Sequence, residues 1–179
     1  MDPTLGERMN AESRKICEQV IKGILPPGMT AKELAAIKED MGYTALHNAA
    51  LAGKLPDGTT ARDLARAKAH NGVTALHEAG AFCHLPAGAP ITDLIDAVDN
   101  EGKTALDMLL DRKFFGFVEM QKEQVKMVLY ATTQNTVKSC AEPQLRTVAE
   151  RLAKICPGET AQWLAGVLRK RQNIKLQCG

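Results

Sequence analysis

Aromatic residues are scarce in this sequence: one Trp, two Tyr and four Phe make up 4% of 179 residues. With Ala, Leu and Lys plentiful, that scarcity argues against β-rich architecture and for close-packed helices with small interfaces. It also leaves few rings on which single-stranded nucleic acid could stack. Charge of one sign is lacking too. Lys and Arg number 23 against 21 Asp and Glu, and a formal net charge of +2 does not by itself imply nucleic acid or a membrane surface. No apolar run approaches the ~20 residues of a membrane span. The opening MDPTLGERMNAESRK has no apolar core of a secretory signal, so no membrane association is expected. Cys17, Cys83, Cys140, Cys156 and Cys178 are odd in number, widely scattered and without a CxxC pair. Neither a disulfide framework nor a zinc site is suggested. Reduced thiols in a cytoplasmic setting are expected; delivery to a host cell by a signal-less route would leave no trace in these residues. Neither GxGxxG nor GxxxxGK[ST] occurs, which removes the usual phosphate cradles.

What the chain does have is repetition. Gly42, Gly72 and Gly102 follow one another at a constant 30-residue step and open the phrases GYTALHNAALAG, GVTALHEAGAFC and GKTALDMLLDRK. Between them a second phrase recurs at the same step: LPPGMTAKELAAIK from Leu25, LPDGTTARDLARAK from Leu55 and LPAGAPITDLIDAV from Leu85. Leu25/Leu55/Leu85, Gly28/Gly58/Gly88, Leu34/Leu64/Leu94, Thr44/Thr74/Thr104 and Leu46/Leu76/Leu106 all keep register without an insertion. A last echo, CPGETAQWLAGV from Cys156, matches the second phrase but falls out of step with the period. That displacement implies an insertion between Lys113 and Lys154.

Each unit is expected to hold two short helices. Pro and Gly make a turn, Thr30 or Thr60 stands at the N-cap, and Glu33 or Asp63 follows at capping-box spacing, Asp being the shorter reach. Ala31, Leu34, Ala35 and Ile37 line one face. In the other phrase Thr44 caps, Leu46, Ala49 and Ala50 form the apolar stripe, and Gly53 closes the helix. Helices this short are marginal alone and become stable when neighbouring units stack. Residues 1–24 are expected to supply an N-terminal capping helix with Ile16, Val20, Ile21 and Ile24 on its apolar stripe. The third unit departs from the pattern, with Pro90 in the cap position. Beyond it, helices are expected at 118–130, 142–155 and 160–171, with a break at Pro143.

The phrase G-x-T-A-L-H-x-A-A-x-x-G resembles the ankyrin repeat, whose first helix begins T-P-L-H-x-A-A. The likeness is close for 42–53, good for 72–84 and partial for 102–113, where Asp107 replaces the histidine. It covers roughly half the chain. The resemblance implies an all-α, ankyrin-like helical repeat solenoid: a capping helix at 1–24, three repeats at 25–113, and C-terminal helices at 114–179 that continue or cap it. The 30-residue period is shorter than the family's, so the family's long hairpin finger should be clipped to a tight turn and the LPxG link enlarged. The resemblance further implies that His47 and His77 bond the turn and the neighbouring unit.

Other candidate chemistry has plainer explanations. Repeated histidines can signal metal or acid–base work, yet buried polar groups are normally paired within the fold. Cys83, His84 and His77 could be drawn as a thiol or zinc site, but no base partnership or fourth ligand accompanies them. Acidic pairs such as Glu39–Asp40 and Asp96/Asp99 fall at solvated helix ends. The one basic cluster, Arg169-Lys170-Arg171 with Lys175, could meet nucleic acid or simply favour a helix C-terminus. No catalytic residue, metal or cofactor is expected. The tail 114–179 offers no histidine for an enzyme site.

The expected function is protein–protein interaction, as adaptor, inhibitor or effector, with nucleic-acid binding through the basic C-terminus or an enzyme site in the tail as alternatives. The resemblance places the partner on turn tips and exposed first-helix positions. Those are Asp40, Met41 and Tyr43, then His70, Asn71 and Val73, then Asn100, Glu101 and Lys103, with Leu51 and Phe82 on the helices. They differ from unit to unit while the scaffold letters hold.

Overall fold

A computed structural model describes residues 11–110, 127–128, 131–136 and 150. Helices α1 (Ala11–Ile21), α2 (Ala31–Ala36), α3 (Ala45–Ala52), α4 (Ala61–Arg66), α5 (Ala75–Ala81), α6 (Ile91–Asp96) and α7 (Ala105–Leu110) follow in order. Residues 131–136 are helical as well, and no β-strand occurs among the described residues. The all-α expectation holds there. Helix starts recur with the sequence period: α2, α4 and α6 begin at Ala31, Ala61 and Ile91, and α3, α5 and α7 at Ala45, Ala75 and Ala105.

Composition explains how such short helices persist. In α3, α5 and α7 the Ala–Leu pair after the capping threonine is fully buried, as are Leu34, Leu64 and Leu94 of the other set. Each buried Leu contributes roughly 1.5–3 kcal/mol. Small residues then let neighbours approach: α1 packs on α3, α3 on α5 and α5 on α7, while α4 lies more lightly against α2 and α6. At Gly80 a Cβ would stand 2.7 Å from the Ala105 carbonyl oxygen, so only glycine permits the α5–α7 approach.

The caps form as their spacing predicts. The Thr30 amide donates to Glu33 Oε2 at 2.8 Å and the Glu33 amide to Thr30 Oγ1 at 3.3 Å. Asp63 closes the equivalent box with Thr60 at 2.9 and 3.2 Å, so the shorter carboxylate reaches as well as the longer one. At the other end of α3, Gly53 turns left-handed with φ 70°.

The third unit is finished differently. Pro90 offers no capping hydroxyl. The Ile91 amide donates instead to Thr136 Oγ1 at 2.7 Å, and Asn135 Nδ2 donates to the Ala89 carbonyl at 3.2 Å. Thr132, Thr133 and Thr136 are buried. The expected helix 118–130 is described only at 127–128, which are helical, and the helical turn at 131–136 lies past its expected end. Of the expected helix 142–155 only residue 150 is described, also helical. Residues 1–10, the break at Pro143, the helix at 160–171, the echo at 156–167 and the basic cluster at 169–175 lie outside the described residues.

The N-terminal helix forms, but its inner face is not the expected one. Cys17 and Val20 are buried and Ile16 is half-buried, whereas Ile21 and Ile24 are 53% and 56% exposed. Register explains this. Gly23 is left-handed and its amide bonds the Val20 carbonyl, as the Gly53 amide bonds Ala50 and the Cys83 amide bonds Gly80, at successive 30-residue steps. Ile24, Lys54 and His84 likewise donate to Gln19, Ala49 and Ala79. Thus α1 stands where a helix preceding α3 would stand. Cys17 and Val20 take the inward stations of His47 and Ala50, and Ile21 and Ile24 take the outward stations of Leu51 and Lys54.

Candidate partner-binding face

The turns that link the two helix sets are tight. Antiparallel bridges Lys38–Thr44, Lys68–Thr74 and Val98–Thr104 close each of them. Inside, the Glu39, Ala69 and Asp99 amides donate to the Tyr43, Val73 and Lys103 carbonyls at 2.7, 2.9 and 2.9 Å. The short finger expected from the 30-residue period is what forms.

Successive tips are then tied together. The His70 amide donates to the Met41 carbonyl and the Asn100 amide to the Asn71 carbonyl, both at 3.0 Å. Asn100 Nδ2 adds a bond to the His70 carbonyl, and Asn71 Nδ2 reaches the Tyr43 hydroxyl at 3.3 Å. Gly42 and Gly72 are the places of closest approach. A Cβ on Gly42 would lie 2.5 Å from the His70 ring, and one on Gly72 would lie 2.6 Å from the Asn100 amide nitrogen.

His47 and His77 lock this arrangement from inside. Both are buried. The Thr44 amide, which can only donate, reaches His47 Nδ1 at 3.1 Å, so Nδ1 is the acceptor and Nε2 carries the proton. Nε2 then donates to the Val73 carbonyl of the next tip at 3.2 Å. His77 repeats the pattern, accepting from the Thr74 amide at 3.1 Å and donating to the Lys103 carbonyl at 2.9 Å. Burial, the largest influence, lowers the basicity of His47, which keeps the ring neutral as this pattern requires. Asp107 reproduces only the local half of the pattern. The Thr104 amide donates to its Oδ2 at 2.8 Å, and its own amide returns to Thr104 Oγ1 at 3.0 Å.

With the backbones committed to this ladder, the side chains at the tips are what remains for a partner. Asp40, Met41, His70, Asn71, Asn100, Glu101 and Lys103 are exposed. Tyr43 is half-buried, its ring 5.0 Å from that of His47, and Val73 is half-buried as well. Asn71 Oδ1 folds back to the Val73 amide at 3.1 Å, and Lys103 faces Glu101 at 3.6 Å. Met41 is 68% exposed on a left-handed backbone of φ 64°, a conformation unusual for a residue with a side chain. The ladder therefore brings most of the expected residues into one row: Asp40, Met41, Tyr43, His70, Asn71, Val73, Asn100, Glu101 and Lys103. Leu51 and Phe82 lie apart, at the far ends of α3 and α5.

Phe82 is half-buried and stacks on His84, with ring centroids 6.3 Å apart. His84 Nδ1 sits 3.1 Å from the Leu51 carbonyl at the end of α3. Cys83 occupies the left-handed position that Gly53 holds one unit earlier, with φ 59°, and burial raises its thiol pKa. A thiol whose pKa is raised by burial is little ionised and a poor nucleophile. Cys17 is held further still, pushed up to about 12 by burial and by the neighbouring Glu39. Among the described residues no cluster of His, Cys, Asp or Glu is suited to a metal ion.

No protein-family model, characterised protein or solved structure matches this chain.

Three residues of this surface escaped the sequence pattern. Ile21 and Ile24 are exposed apolar groups on α1 and the turn after it, and Glu78 is a half-buried carboxylate on α5. The signal for the first two was the spacing of Gly23, Gly53 and Cys83. For Glu78 it was an acid at the station where the preceding unit has Asn48.

Proposed function

We propose that this chain is an ankyrin-like array whose role is to hold another protein, with its partner seated on the tips and on the outward face of α1, α3 and α5. The observation that carries the reading is Met41. A large apolar side chain is presented to water at a tip whose backbone is both strained and tied to the next unit. Strain of this kind costs of order 1–3 kcal/mol and persists where surroundings enforce it, most often at functional positions. Solvated apolar groups on a rigid support are also the usual anchors of an interface.

The buried polar groups support the same reading. His47, His77 and Asp107 are used up in holding helix starts and tips, which suits a rigid scaffold that presents a surface. Among the described residues, no helix is long and apolar enough to cross a membrane.

The test is capture from a native lysate on immobilised full-length chain, read by mass spectrometry, with a Met41→Asp/Leu51→Asp double variant beside it. Both positions are exposed, so the variant should fold normally and lose the partner. Retention of the same partner by the double variant would refute the assignment.

A further inference from the structure

We propose that the third tip, residues 100–103, receives a turn of the partner protein that carries asparagine or histidine and extends the ladder of tips by one step. This rests on the protein-binding reading above and names the chemistry that the partner brings to the end of the row.

Two occupants of the same station inside the chain define what fits. On the first tip, the His70 amide donates to the Met41 carbonyl, and the His70 ring crowds Gly42, where a Cβ would meet it at 2.5 Å. On the second, the Asn100 amide donates to the Asn71 carbonyl and Asn100 Nδ2 to the His70 carbonyl. Its side-chain oxygen crowds Gly72 in the same way. The station thus takes one backbone N–H and one flat polar side chain, laid against a glycine. Gly42 and Gly72 are both buried.

The third tip has the same build. The Asp99 amide donates to the Lys103 carbonyl at 2.9 Å and the Gly102 amide to the Asp99 carbonyl at 3.1 Å. Gly102 keeps a left-handed φ of 81°, against 78° and 83° at Gly42 and Gly72. Asp99 Oδ1 accepts from the Glu101 and Lys103 amides, both at 2.9 Å, so the turn is braced from within. Yet Asn100, Glu101, Gly102 and Lys103 are all exposed, and a Cβ on Gly102 would meet nothing within 4 Å. The Glu101 carbonyl holds the place of the Met41 and Asn71 acceptors, and the Asn100 carbonyl that of His70. Acceptors already set in a braced turn lower the ordering cost of binding, and backbone edges are commonly read by a segment that continues them.

A second copy of this chain makes a poor occupant. Its first tip would bring Asp40 to the station, a carboxylate with no proton to donate. That carboxylate would also lie beside Glu101, whose side chain is 78% exposed. A partner turn bearing asparagine or histidine has neither fault.

The experiment selects cyclic peptide loops from a random displayed library against the immobilised full chain. Selected loops should carry Asn or His at a common position, and exchanging it for Asp should weaken them about tenfold or more. Gly102→Ala should weaken them as much, because its Cβ would stand where the loop must approach. Gly58→Ala is the control. Gly58 is as left-handed, at φ 77°, and as uncrowded, but it lies at the other end of α4 from the second tip. That variant should leave loop binding unchanged. Loops without Asn or His, loops indifferent to Gly102→Ala, or equal losses in Gly58→Ala and Gly102→Ala would each overturn the proposal. So would the absence of any selectable loop. Self-association abolished by Gly102→Ala would give the tip to a second copy and overturn it as well. A lysate partner lost in Met41→Asp/Leu51→Asp but kept in Gly102→Ala would leave protein binding standing while the assignment of the third tip fell.

Discussion

The second and third units follow the same path through space but discharge their polar groups in different directions. In the second unit Thr60 and Asp63 cap α4 locally, and His77 reaches forward to the next tip. In the third, Pro90 cannot cap α6, so Thr136 of the tail does, and among the described residues Asp107 bonds only its own threonine. Gly72 is pressed by Asn100 of the following tip, while Gly102 has nothing within 4 Å. A residue in the repeat is thus chosen for the neighbour it meets. At the third unit histidine shortens to aspartate and the crowded glycine becomes uncrowded.

The contrast can be broken most sharply at the histidine station. His77→Ala leaves the buried Thr74 amide without an acceptor and severs the link to Lys103, a loss of about 3 kcal/mol. Asp107→Ala likewise takes the acceptor from the Thr104 amide but, among the described residues, severs no link to a following tip, and should cost about 1 kcal/mol. Denaturant unfolding of both variants checks the difference, and equal losses would contradict it. Nearly as large an effect is expected at the glycines. Gly72→Ala combines a left-handed φ of 83° with overlap on the Asn100 backbone and should cost about 3 kcal/mol. Gly102→Ala meets only the unfavourable φ of 81°, about 1 kcal/mol.

A smaller effect tests the borrowed cap. Pro90→Thr restores the local box with Asp93 and should stabilise by about 1 kcal/mol. Thr136→Val should cost a similar amount in the native chain and clearly less in the Pro90→Thr background. Additive effects in the double variant would show that Thr136 does not stand in for the missing hydroxyl.

The smallest expected effect is on pH. The folded His47 is less basic than the ordinary 6.5, chiefly through burial. The unfolded chain therefore binds the proton first as pH falls, and stability should decline below about 6.5. Protonation would also place a hydrogen on Nδ1 against the Thr44 amide. His47→Gln should flatten this slope; an unchanged slope would move its origin elsewhere.

Much of this was legible in the residues because it depends on local spacing. Thr30–Glu33, Thr60–Asp63 and Thr44–His47 are bonds between positions three apart, and the clipped tips follow from the 30-residue step. What escaped depends on through-space neighbours. Ile21 looks like core by helical periodicity, yet the register of α1 against α3 turns it outward and turns Cys17 in. That register is carried by Gly23, Gly53 and Cys83, where a cysteine hides the third glycine. Pro90 showed that a cap was missing, but nothing in the local sequence showed that Thr136 supplies it. The row of tip residues was legible because those positions flank the repeated glycines.

The most direct test of the account is a paired measurement on one preparation: partner capture and thermal unfolding of the native chain and of Met41→Asp/Leu51→Asp. The account predicts an unchanged unfolding midpoint with capture weakened about thirtyfold or more, the loss expected when anchor residues are removed. Unchanged capture at an unchanged midpoint would contradict it.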